Sequence, residues 1–277
     1  MAYPVVAAPY GLKPINLIGG QVFAGSTREY AIPYGYATNI FYGDFVGLTR
    51  GNAGRLAVST GALGTVTGIF LGCSYTNPTT KQKQFAQYWP AGTTAGDAVA
   101  IICDDPDTVF KAVICSSGTT VASGARAMIG QNLAMIDNST GNINTGDSSN
   151  ALLAPSATPA TTDTLPIRVI GLVPDTIVSL GSVTYTSIST ATVTCSALPF
   201  ALPVGTDVGS LAANGQYIAS GSFVITAAAA GATSFVMNAA PITAFAASST
   251  IVFAQYPELL VKLNFGQHEY YAATATA

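Results

Sequence analysis

The stretch "AIICDDPDTVFKAVIC", residues 100–115, sets three aspartates within four positions between two apolar runs. Asp is favoured at the first position of a type I turn and Pro at the second, and a further Asp can follow. Asp105-Pro106-Asp107 fits that grammar, and residues 98–103 and 109–114 on either side are short and apolar. The pattern predicts strand, turn, strand, with the aspartates at the corner of a hairpin.

A chemical reading of Asp104, Asp105 and Asp107 competes with the turn. Clustered carboxylates bind Ca²⁺ or act as acid and base. A calcium loop needs ligands at alternating positions, a glycine at the sixth and a distal glutamate. Thr108, Val109, Phe110 and Lys111 follow instead, so the pattern stops. The expectation is a turn, with no metal and no cofactor.

Outward from this corner the periodicity remains that of strands. "KAVIC", "VTYTSISTATVTC" and "GSFVIT" are short, rich in β-branched residues and bounded by Gly, Pro, Asn or Ser. Helical period is weak, with "AFAASS" near Ala244 and a turn around Thr93 to Asp97 as its best candidates. The fold class is therefore mainly β, a barrel-like or sandwich-like domain. The polar stretch from Asp137 to Thr164 reads as a surface loop. In "CSYTNPTTKQKQFAQYWP" the segment "QFAQYW" reads as a strand leaving a loop. Its aromatics are expected to be a buried anchor beneath that loop rather than an exposed binding surface.

Three segments emerge. Residues 1–30 contain Pro4, Pro9 and Pro14 and the glycines of "LIGGQVFAG", which favour an extended N-terminal arm. Residues 31–175 form the main β-domain. Between Thr176 and Gln255 the sole charged side chain is Asp207, and then "YPELLVKLNFGQHEYY" restores charge and aromatic residues. Residues 176–255 are thus expected to be a small inserted β-domain, with 256–277 completing the first. Such insertions are tolerated because loop-closure entropy grows slowly with length.

Composition excludes several functions. Charged residues are 8% of the 277, against roughly 25% in an ordinary soluble domain. Hydrophobic residues are 49%, yet no run reaches the roughly 20 apolar residues of a spanning helix. Ten scattered basic residues and a net charge of -3 argue against nucleic acid as a partner. The N-terminus lacks a basic region before an apolar one, so no secretory signal is expected and the chain is expected to fold in a cytoplasm. A surface so poor in charge suits a component of an assembly. Cys73, Cys103, Cys115 and Cys195 show no CxxC pair and no zinc spacing, which makes them small buried hydrophobes. His268 is the one histidine, there is no GxSxG, HExxH or P-loop, and no catalytic residue is expected.

The segments "APYGLKPINLIGGQVFAGSTREY", "GYATNIFYGDFVGL", "GIFLGCSYTNPTTKQKQFAQYWPAGT", "DDPDTVF" and "YPELLVKLNFGQHEYY" together resemble head structural proteins of tailed bacteriophages of cyanobacteria and marine bacteria, of the capsid decoration or cement type. The resemblance covers most of residues 1–175 and 256–277. In that family "RVIGLVPD" runs on almost directly to "YPELLVKLNF", so residues 176–255 stand out again as an insertion. The resemblance implies a protein of the virion that reinforces the outer surface of an icosahedral shell. It implies the major capsid protein and other copies of itself, as a homotrimer, for partners, with no membrane and no nucleic acid. It also implies shell or inter-protomer contact through Tyr3, Pro4, Val5, Pro9, Tyr10, Leu12, Pro14, Ile15 and Leu17. Alternatives are a tail, fibre or host-adhesion protein, the major capsid protein itself, which needs a long helical spine, and a glycan hydrolase, which needs paired acids in a cleft.

Overall fold

A computed structural model describes residues 6–49, 52–55, 66–122, 124, 128–154, 165–176, 178–202, 204, 206–211, 224–238 and 250–268. Strands run in chain order from β1 (Lys13–Leu17) and β2 (Arg28–Ala31) through β3 (Phe45–Thr49), β4 (Asn52–Arg55), β5 (Gly68–Thr76), β6 (Lys83–Ala86) and β7 (Val99–Cys103). The long β8 (Thr108–Ser117) precedes four short strands, β9 (Thr120–Val121), β10 (Asn132–Leu133), β11 (Met135–Ile136) and β12 (Ala151–Leu153), and then β13 (Ile167–Leu172). The last group is β14 (Val178–Ser189), β15 (Thr192–Cys195), β16 (Asp207–Leu211), β17 (Val224–Thr226), β18 (Ser234–Met237), β19 (Thr250–Gln255) and β20 (Glu258–Leu263). Short 3-10 turns occupy Pro174–Thr176 and Phe265–Gln267. The protein is mainly β.

The first sheet closes on itself. β3 pairs β4, β4 pairs β2, β2 pairs β7, β7 pairs β5, and β5 returns to β3, with β6 added at the edge of β5. Alternating inward residues fill this barrel, among them Val46, Phe70, Cys73, Tyr75, Trp89, Ala100 and Ile102. The Trp89 indole N–H donates to the Tyr36 carbonyl at 3.3 Å, and its ring stands edge-on to Tyr75. A buried Trp needs such a partner for its N–H. Gly68 has a steric reason, because a Cβ there would run into the Cys103 carbonyl.

β8 is the spine of the second sheet, ordered β10-β13-β20-β8-β12-β11, with β1 and β9 also paired to β8. Along β8, β20 pairs residues 110–113 and β1 pairs residues 108–111, while β12 lies parallel at Ile114 and Cys115. Nearly every residue from Thr108 to Cys115 is buried, which explains the unbroken apolar run of its sequence. Lys111 is the half-buried exception and meets Glu258 of β20 at 3.4 Å.

The hairpin expected over residues 100–115 does not form. Both edges of β7 are already taken, by β2 and β5, so β8 has no free edge to join and enters the other sheet. The Asp105-Pro106-Asp107 turn is real, with the Asp107 N–H donating to the Asp105 carboxylate at 2.9 Å. It is a crossing between sheets. The expected surface loop of residues 137–164 differs too: Asn150 and the β12 residues Ala151 and Leu152 are fully buried. Residues 155–164 and the "AFAASS" segment lie outside the described residues.

Contacts divide the chain into two units. One holds Val6–Ala122, Gly130–Ile170 and the chain from Glu258, and contains the barrel and most of the second sheet. The other holds Gly171–Pro257 with Ser123–Ile129. The sheet of this second unit runs β16-β19-β14-β15-β18-β17 and encloses Val193, Leu198, Val224, Phe235, Ile251 and Phe253. The first half of β14 pairs β19 and its second half pairs β15, with bulges that bend the strand between its two partners. The chain departs along β13 and returns along β20, which are neighbours in the second sheet. Separation thus falls at Gly171 and Pro257, against the boundaries of 176 and 255 expected from the sequence.

Candidate interaction surface

The expected contact residues from Tyr3 to Leu17 separate into distinct groups. Tyr3, Pro4 and Val5 lie outside the described residues. Pro9 and Leu12 are buried in their own unit, so residues 6–17 pack onto the fold, with Lys13–Leu17 extended as β1. Tyr10, Pro14 and Leu17 are half-buried, and Ile15 is 41% exposed.

Sequence dictates how this segment is held. Gly11 and Gly43 both have positive φ, and their backbones cross so closely that a Cβ on Gly11 would sit 2.7 Å from the Gly43 carbonyl oxygen. Only glycine allows both the conformation and the approach. The crossing is closed by Leu12 N–H donating to the Gly43 carbonyl at 3.1 Å and Gly11 N–H to the Asn150 carbonyl at 3.0 Å. The Tyr10 hydroxyl donates to buried Glu258 at 2.5 Å, and Lys111 pairs with the same carboxylate. Burial first, then Glu258, pushes the Tyr10 phenol far above its ordinary range, so it remains a donor. The Lys13 ammonium lies 4.7 Å from the centre of the Tyr10 ring and pairs with Asp147 at 3.2 Å.

The aspartates of the crossing turn point to different partners. Asp104 is buried and meets Arg28 at 3.0 Å and the Tyr30 hydroxyl at 3.4 Å, and its carbonyl oxygen is 3.1 Å from His268 Nε2. Asp105 caps the turn, and Asp107 pairs with Lys262, whose ammonium also lies 3.9 Å over the Phe265 ring. His268 is fully buried, and all four cysteines are free and buried. Among the described residues no group of three or more His, Cys, Asp or Glu is placed to hold a metal ion. Burial drives the Cys73 thiol up to about 12 and those of Cys103 and Cys115 to about 11, which leaves them poor nucleophiles.

Several large apolar side chains of this unit also face outward. Ile18 is 54% and Val22 79% exposed in the turn after β1, and Phe85 is 81% exposed on the edge strand β6. Phe85 borders an open cavity of about 580 Å³ also lined by Lys13, Tyr42, Leu71, Gln87 and Ile101. The aromatic cluster expected to be buried is therefore divided, with Trp89 inside the barrel and Phe85 outside. Sequence reasoning missed this, although the period of two in "KQFAQ" places Phe85 on the same face as Lys83. It also missed Glu258, Asn150 and Gly43 as partners of the arm. No protein-family model, curated protein or solved structure matches this chain.

Proposed function

We propose that this chain is a structural virion protein, a cement or decoration protein that binds the outer surface of an icosahedral phage capsid and reinforces it, acting as a homotrimer and with no catalytic site. The observation that carries the reading is a surface poor in charge, several of whose charges pair within the chain, while large apolar side chains face outward. Lys13–Asp147, Arg28–Asp104, Lys83–Asp97, Lys111–Glu258 and Lys262–Asp107 pair within the chain. Phe85, Val22, Ile18 and Ile15 offer apolar area that gains by being covered. Burying one such side chain is worth about 1.5–3 kcal/mol before the costs of association. The sequence resemblance to phage head proteins supplies the kind of partner.

Reinforcement follows from mass action. A protein that binds only the assembled shell stabilises it by RT ln(1 + [L]/Kd), about 2.7 kcal/mol per site at a hundredfold excess over Kd. Contacts that span several shell subunits multiply this through effective concentration. The test is to mix the purified protein with expanded capsids that lack it. Saturable binding in hundreds of copies, with increased resistance to heat and osmotic shock, is expected. Failure to bind, or unchanged resistance, overturns the reading, and a copy number in tens or fewer favours a tail or fibre protein. The variant Phe85→Ser is expected to weaken shell binding without shifting the melting of the free protein.

A further inference from the structure

The segment Val6–Leu17 is held by residues remote along the chain: Gly43, Lys111, Asp147, Asn150 and Glu258. Nothing in those contacts depends on which copy of the chain supplies the segment. Residues 18–27 connect it to β2 and are almost entirely exposed, with no strand beyond the isolated bridge of Asn16 to Val22. Two backbone bonds close that turn on itself, Leu17 N–H to the Gln21 carbonyl at 2.8 Å and Gly20 N–H to the Leu17 carbonyl at 2.9 Å, and a third, Ile18 N–H to the Asp107 carbonyl at 2.9 Å, ties its first residue to the seat. Ten connecting residues reach about 33–36 Å when extended.

The connector also carries the apolar side chains Ile18 and Val22, which the closed turn leaves largely in water. A turn of a monomer is ordinarily made of polar and small residues. Straightening this connector between two copies loses a few exposed hydrogen bonds, each worth little net because water replaces them. It recovers every contact of the seat and gives Ile18 and Val22 a neighbouring surface. Exchange of an identical terminal element is a low-cost route to oligomers.

We propose that residues 6–17 are exchanged between copies of this chain, each segment filling the Gly43–Asn150–Glu258 seat of a neighbour, with residues 18–27 bridging the two. Exchange concerns copies of this chain alone, so it stands or falls separately from shell binding.

Asn16 and Val109 oppose one another across the β1–β8 pair, which allows a direct test. Asn16→Cys is placed in one chain and Val109→Cys in a second chain bearing a different tag. The two are refolded together and oxidised with copper phenanthroline. The native cysteines are all buried, which keeps them from reacting in the folded protein. A disulfide-linked band carrying both tags is expected, and it disappears when Gly11→Ala blocks the backbone crossing in the chain that supplies the segment. The double variant Asn16→Cys with Val109→Cys on one chain is expected to yield linked oligomers. Absence of the two-tag band, a double variant that runs as an internally closed monomer, or a sedimentation mass of one chain at high concentration each overturns the exchange.

Discussion

The barrel unit and the Gly171–Pro257 unit both wrap β-strands around an apolar core, and they fix those strands by different means. In the barrel unit polar anchors tie remote segments together. Buried Asp44 accepts from the Phe41 N–H at 2.8 Å, the Ser148 hydroxyl at 2.6 Å and the Asn150 amide at 3.0 Å, joining positions a hundred residues apart. Glu258 does the same for Tyr10 and Lys111. In the other unit Phe253 is the hub, with edge-on contacts to Phe235 at 5.2 Å and Phe200 at 5.7 Å, and residues 178–255 contain one charged side chain, Asp207. Register there rests on alternation of Val, Ile and Phe with Thr and Ser. One unit is specified by particular side-chain pairs, the other by pattern.

Core truncation is the largest perturbation that tests this contrast. Trp89→Ala and Phe253→Ala are each expected to cost about 3–5 kcal/mol, because each removes a fully buried ring. Trp89 is the one tryptophan, so its fluorescence reports the barrel unit, while alkylation of Cys195 during denaturation reports the other. Phe253→Ala should lower the denaturant midpoint of Cys195 labelling and leave that of the Trp89 signal in place. Equal shifts in both signals break the comparison, since the two units then unfold as one.

A middle-sized effect separates polar anchors from pattern. Asp44→Ala leaves a buried N–H, hydroxyl and amide short of an acceptor, and the cost of such orphaned groups is about 1–3 kcal/mol. The matching change in the other unit is Ser196→Ala, which removes an exposed side chain that accepts from the Thr184 N–H. Its effect should stay within about 0.5 kcal/mol. Denaturant titration of both variants checks the ratio, and comparable losses would show that the second unit also depends on specific polar pairs.

The same contrast explains what was legible in the sequence. Strand class and the charge-poor second unit were visible because period and composition are local properties. Pairing was not. The Asp105-Pro106-Asp107 grammar is identical in a hairpin and in a crossing between sheets, and the choice was made by β2 and β5 occupying the edges of β7. Burial of Ala151 and Leu152 in β12 depends on β8 beside it and on Asp44 accepting from Asn150, more than a hundred residues away. Tyr10 finds Glu258 across 248 positions, with no local mark on either residue. Only Phe85 had a usable signal, the outward phase of its short alternating strand.

The smallest expected effect is also the most selective, because it uses charge, which the second unit almost lacks. Asp97 accepts from the Thr76 N–H at 2.9 Å, the Thr76 hydroxyl at 2.7 Å and the Lys83 ammonium at 3.0 Å. These donors, the Thr76 backbone bond foremost, hold its carboxyl far below the usual carboxylate range. A group with a folded pKa below its unfolded value near 3.9 stabilises the fold above that value, and its contribution is lost as pH falls towards the folded pKa. The Trp89 midpoint should therefore decline as pH drops below about 4, less steeply in Asp97→Asn, and less steeply again in high salt because the pair is exposed to screening. Over the same range the Cys195 midpoint, read by a pulse of alkylation after return to neutral pH, should hold nearly constant. A parallel acid decline in the second unit would break the comparison, because Gly171–Pro257 holds just two carboxylates, Asp175 and Asp207, for protons to titrate.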